Sequence, residues 1–200
     1  LSFVLGQIYD QTGQDAEAVV VYQEAAAAAK RDKDPVTQIR LFGLLARLYS
    51  KRFVARGGRG GYANNAVDVD NAIASLEEAM NVFHDLPASR TGVIEGLRLL
   101  LVQAQLLTRW AALDASYASM RKQAESTLAF IGERFSQLGE PSLQSSVWLC
   151  RADLLRQNGK YSEALAAQEK ATKLAGTVAA QDRLVLAQCR GDILRDMGRT

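Results

Sequence analysis

Three prolines, two cysteines and one histidine are all that this 200-residue sequence contains of those residues, and each scarcity removes a class of protein. Two cysteines cannot build a disulfide framework, and Cys150 and Cys189 lie in apolar helical surroundings, so both are expected as reduced, buried thiols. The single histidine, His84, is followed by Asp85 but has no recognisable nucleophile to activate. One His and two separated Cys are also too few ligands for a metal. No catalytic residue, metal or cofactor is expected, and the chain is read as not an enzyme. No apolar run reaches the roughly 18 residues of a membrane span, and no charged start with an apolar stretch resembles a signal peptide, so a cytoplasmic setting without membrane contact is expected. The 24 basic and 22 acidic residues leave a formal net charge of +2, which exerts no overall pull on nucleic acid. The chain starts at Leu1 inside a periodic segment and ends at Gly198-Arg199-Thr200 where a turn is due, so it reads as part of something longer.

What is abundant points to helices. Hydrophobic residues make up 48% of the chain and charged residues 23%, with Ala, Leu, Gln, Glu, Arg and Lys dominant, all strong helix formers. In LGQIYDQTGQDAEAVVVYQEA, Leu5 to Ala25, the residues Leu5, Gly6, Tyr9, Ala18, Tyr22 and Ala25 recur at helical intervals on either side of Gly13. This spacing predicts a helical hairpin. Gly6 and Ala18 are small enough for two helix axes to approach closely, while Tyr9 and Tyr22 fill the adjoining space.

The same arrangement recurs. RADLLRQNGK, Arg151 to Lys160, and RGDILRDMGR, Arg190 to Arg199, share Arg, Asp, Leu, Arg and Gly, with Gly159 and Gly198 39 positions apart. YSEALAAQEKA after the first of these sets Ala164 and Ala171 where Ala18 and Ala25 stand. LLARLYSKRF, Leu44 to Phe53, supplies a further first helix with Ala46 and Tyr49, and DNAIASLEEAMNVF, Asp70 to Phe83, its partner. Thr91 to Thr108 and Ala111 to Phe135 form another pair by length and apolar spacing. Pro35, Pro87 and Pro141 each stand at the start of a predicted first helix, where a missing N–H is tolerated. Glu77, Glu78, Asp68 and Asp70 are assigned to helix starts or solvated faces, where acidic residues favour the helix dipole.

With its large-Gly-x-x-Tyr, turn Gly and Ala-x-x-x-Tyr-x-x-Ala order, the first hairpin resembles the tetratricopeptide repeat, and Trp148 stands where that family often carries its Trp. Lys30 occupies the place of the usual proline. The resemblance implies an all-α fold, a right-handed superhelix of about nine or ten helices in antiparallel pairs. Its repeats run about 1–34, 35–86 with an inserted loop at 54–68, 87–138, 139–177 and a partial 178–200, all in one solenoid. The function implied is protein–protein interaction, as a scaffold or adaptor whose concave groove takes a peptide or helix of another protein. Carried over position by position, the groove residues are Phe3, Gln7, Asp10 and Gln11; then Gly43, Arg47, Ser50 and Lys51; then Asp153, Arg156 and Gln157; then Gln188, Asp192 and Arg195. Phe3 and Gln7 stand where chaperone-binding members carry the Lys and Asn of a carboxylate clamp. Asp153 with Arg156 and Asp192 with Arg195 are spaced for local ion pairs repeated along the groove wall.

Two other functions stay open. The long repeats resemble the effector-sensing arms of signal-transducing regulators, in which a helical superhelix controls a neighbouring domain. The segment RGGRGGY, Arg56 to Tyr62, lacks the ending of a phosphate-binding P-loop and a preceding strand, but resembles the Arg-Gly-Gly segments of RNA-associated proteins, with Arg56 and Arg59 as the contacts.

Overall fold

Hydrogen bonding at helix ends explains how the chain is punctuated. Residues 2–55, 62–86, 89–112, 118–176 and 180–198 are described by a computed structural model. The elements are α1 (Ser2–Gln11), α2 (Asp15–Arg31), α3 (Pro35–Ala55), α4 (Tyr62–His84), α5 (Arg90–Ala111), α6 (Ala118–Leu138), α7 (Pro141–Gln157), α8 (Tyr161–Ala175) and α9 (Ala180–Asp196). Among the described residues there is no strand, and the fold is an all-α helical repeat. After α1 the Gln14 amide donates to the Tyr9 carbonyl at 2.8 Å and the Gly13 amide to Asp10 at 3.3 Å, with Gly13 at φ 77°. That paired closure needs a left-handed residue, which glycine supplies without a Cβ clash. The same pair of bonds follows α7, from Lys160 to Leu155 and from Gly159 to Arg156. After α2 it forms again, Asp34 to Ala29 and Lys33 to Lys30, yet its left-handed residue is Lys33, φ 55°. Pro35 and Pro141 open α3 and α7, and Pro87 lies outside the described residues.

The molecule divides into two units, Leu1–Val102 and Gln103–Thr200. In the first, α1 packs on α2, α2 on α3 and α3 on α4. Small residues set those approaches: Ala18, Ala46, Ala72 and Ala79 have no exposed surface. A Cβ added to Gly6 would overlap the Tyr22 ring, and one added to Gly96 of α5 would overlap the Phe83 ring of α4. In the second unit α6 packs on α7, α7 on α8, and α9 on both α7 and α8. Ala152, Ala164, Ala167 and Ile193 form a buried cluster there, with Trp148, Leu155, Tyr161, Cys189 and Met197 against it.

Two expectations are corrected. The stretch 54–68 is mostly helix, because α3 continues to Ala55 and α4 begins at Tyr62, ahead of the expected Asp70. Only 56–61 fall outside the described residues, and with them Arg56 and Arg59. Asp68 is buried, 2% exposed, where a solvated carboxylate was expected. Arg52 reaches it from α3 at 3.4 Å, so an ion pair compensates its lost hydration and fastens the added turns of α4 to α3. The pair expected at Thr91–Thr108 and Ala111–Phe135 is α5 and α6, with Ala111 ending α5 and α6 described from Ala118.

Candidate partner-binding faces

In the first unit, α1 turns Phe3, Gln7 and Gln11 to solvent and α3 turns Arg47 outward, whereas Gly43 is buried. Ser50 is 0% exposed, its hydroxyl without a hydrogen-bond partner. It presents no surface to a partner, a departure from its groove assignment that follows from the close packing of α3. Lys51 is half-buried and occupied: its ammonium donates to Asp10 Oδ1 at 2.8 Å, to the Asp10 carbonyl at 3.0 Å and to Asp15 Oδ1 at 2.9 Å. Partial burial disfavours its charge, but the hydrogen bonds it donates to Asp10 and Asp15 prevail and hold its pKa above the ordinary lysine value. One side chain of α3 thus fastens the end of α1 and the start of α2. Asp15 was not singled out from the sequence, although its place in the first turn of α2 was the available signal. Behind this clamp Tyr22 is 1% exposed, and burial, with Asp10 nearby, pushes its phenol up to about 12.

Another buried acid lies farther along the first unit. Glu95 of α5, 2% exposed, accepts from Arg40 of α3 at 2.6 Å and from Arg98 at 2.8 Å. Two guanidinium groups on one buried carboxylate satisfy it and join α5 to α3.

In the second unit, four of the expected groove residues meet in a chain of charges completed by one that was not expected. Arg156 donates to Asp153 Oδ1 at 2.7 Å within α7 and to Asp196 Oδ2 at 2.6 Å on α9. Arg195 holds Asp192 at 2.9 Å and lies 3.7 Å from the other Asp196 oxygen. The series Asp153, Arg156, Asp196, Arg195, Asp192 therefore crosses from one helix to the next. Desolvation opposes the Arg156 charge, but hydrogen bonds to Asp153 and Asp196 override it and raise its pKa. Asp196 was invisible to repeat matching because Gln157, its counterpart on α7, is uncharged; Gln157 itself is half-buried with its carbonyl oxygen unpartnered. Gln188 is exposed on α9.

The thiols are free. Cys150 is buried, 3.5 Å from the Thr108 hydroxyl, and burial raises its pKa to about 12; burial likewise raises Cys189 to about 11. Among the described residues no group of three His, Cys, Asp or Glu could hold a metal ion, and no helix is long and apolar enough to cross a membrane.

No curated protein matches the chain. The family model of the tetratricopeptide repeat matches residues 1–32, spanning α1 and α2, and residues 145–177, spanning most of α7 and all of α8. Both segments carry the small-residue crossings and left-handed glycine closures of the fold, and at them the chain is similar to the tetratricopeptide repeat.

Proposed function

We propose that the chain is a non-enzymatic scaffold or adaptor that holds a peptide or helix of another protein on the groove-facing residues of its first helices. Tetratricopeptide repeats generally mediate protein–protein interaction. The observation that carries the finer reading is the array on α7 and α9, where the repeat-equivalent pairs Asp153–Arg156 and Asp192–Arg195 are linked through Asp196. Asp192 and Arg195 are 44% and 63% exposed, so a partner can exchange these pairs for its own at little cost in desolvation. Phe3, Gln7, Gln11 and Arg47 offer a second, less charged face in the first unit. Ser50 drops out of the reading because it is buried, and Lys51 becomes a support rather than a contact because it is held by Asp10 and Asp15. Two free thiols fit a reducing compartment such as the cytoplasm.

The test is selection of binding peptides from a displayed random library against the full chain, followed by affinity measurement on variants. Asp192→Ala with Arg195→Ala is expected to weaken second-unit binders at least tenfold, while Arg47→Ala weakens those of the first unit. Selected peptides that bind all variants as they bind the natural chain would refute the groove assignment.

A further inference from the structure

A buried acid in the first unit holds two cations side by side. Glu95 of α5 is 2% exposed, and its Oε1 atom alone accepts from Arg40 Nη2 at 2.6 Å and from Arg98 Nη1 at 2.8 Å. The two guanidinium groups nevertheless reach solvent, since the side chains of Arg40 and Arg98 are 46% and 42% exposed. Each gives one nitrogen to Glu95 and makes no other hydrogen bond among the described residues, so most of its N–H donors remain for a further acceptor. Packing fixes the carboxylate, and the carboxylate fixes both cations. Two positive charges on one negative leave a surplus of one, brought together before any ligand arrives.

The surroundings do not cancel that surplus. Arg47, two turns beyond Arg40 on the same face of α3, is exposed and has no ion pair among the described residues. Gly43 stands between the two, so no side chain of α3 fills the interval. Asp10 and Asp15, the acids farther along α3, are held by Lys51. Asp34, the other acid acting on Arg40, caps α3 by accepting from the Thr37 amide at 3.1 Å.

We infer that the solvent-facing edges of the Arg40 and Arg98 guanidinium groups, fixed side by side by buried Glu95, form a binding site for a carboxylate side chain within an acidic segment of a partner protein. A planar carboxylate matches the fork of a guanidinium, and its single charge balances the surplus. A dianionic phosphate brings a second negative charge against Glu95, which cannot escape into water. The array of the second unit has the opposite balance, three acids at Asp153, Asp192 and Asp196 against Arg156 and Arg195, so the acidic segment belongs to the first unit alone. This inference rests on the scaffold reading for the ligand's being a protein segment, and adds the chemistry by which one unit recognises it.

The probe is a hexaglutamate peptide, acetylated and amidated so that it carries no terminal carboxylate, with a neutral fluorophore read by anisotropy against the full chain at low salt. Arg40→Gln and Arg98→Gln are each expected to weaken binding about tenfold, while Arg31→Gln, an equal change of charge on the exposed end of α2, alters it less than about twofold. Each of the first two variants leaves one guanidinium on Glu95, so the buried acid stays paired and the circular dichroism is expected to be unchanged. Absence of binding to the natural chain, or equal losses in all three variants, would overturn the site. A phosphoserine peptide of the same length bound more tightly than hexaglutamate would overturn the choice of carboxylate. Library-selected peptides that contact the first unit without acidic residues, and bind Arg98→Gln as they bind the natural chain, would overturn this site while leaving the scaffold reading intact.

Discussion

Replacing Gly6 by Ala should destabilise the first hairpin, although the same change in an exposed helix stabilises. Ala exceeds Gly in helix propensity by about 1 kcal/mol. Against this, the new Cβ would overlap the Tyr22 ring, with Cδ1 only 2.6 Å away. Carbon atoms rest at about 3.5–4.0 Å, so α1 has to retreat by about 1 Å, and a gap of that size forfeits a quarter to a half of each contact's dispersion energy. Tyr22 cannot swing aside, being 1% exposed and walled in by the helices it joins. Overpacking of this kind costs about 1–3 kcal/mol, which leaves a net loss of about 1–2 kcal/mol after the propensity gain. Because the chain holds two units, one global transition is not a safe readout, and amide exchange along α1 and α2 should accompany urea titration. Tyr22→Leu provides the cycle: its phenol oxygen has no partner, so no hydrogen bond is lost, and the ring that blocks the Cβ is gone. The two changes together should cost less than their sum by about 1 kcal/mol or more. A Gly6→Ala protein with a higher midpoint and slower exchange would refute the close crossing.

Lys33→Gly should stabilise by about 0.5–1 kcal/mol, since relief of a left-handed non-glycine residue exceeds the added chain entropy; an unchanged or lower urea midpoint would contradict it. Arg156→Ala should release α9, speeding its amide exchange and costing about 1 kcal/mol, because Arg156 alone bridges Asp153 and Asp196 across two helices. Arg195→Ala, which leaves that bridge intact, should cost under about 0.5 kcal/mol, and equal effects would show that the bridge does not hold α9. The thiols give a pH dependence: unfolded thiols ionise from about pH 9 while Cys150 and Cys189 stay protonated to about 12 and 11. The folded state then holds more protons than the unfolded one, so stability should fall as pH rises from 9 toward 11, and a Cys150→Ala, Cys189→Ala protein should lose less of it; identical slopes would defeat the attribution.

The sequence by itself determined the helices and their hairpins at the two matched segments. Gly6, Ala18 and Tyr22 are spaced by the α-helical period, and Gly13 and Gly159 mark left-handed closures that glycine makes without a Cβ clash. Such signals are local, arising within a turn or two of chain, and so are legible without coordinates. The closure at Lys33 escaped because nothing local demands it; packing of α2 against α3 holds a lysine where glycine would rest more easily. The helical course of Tyr62–Asp68 escaped for a related reason, since burial of Asp68 depends on Arg52, brought close only once α3 and α4 are antiparallel. Repeat matching marked Asp153, Arg156, Asp192 and Arg195 as two local pairs, but only the tertiary structure joined them through Asp196, whose equivalent on α7 is uncharged. It likewise withdrew Ser50 from the surface and turned Lys51 inward to Asp10 and Asp15, because which polar groups meet across helices is decided by the crossing of their axes.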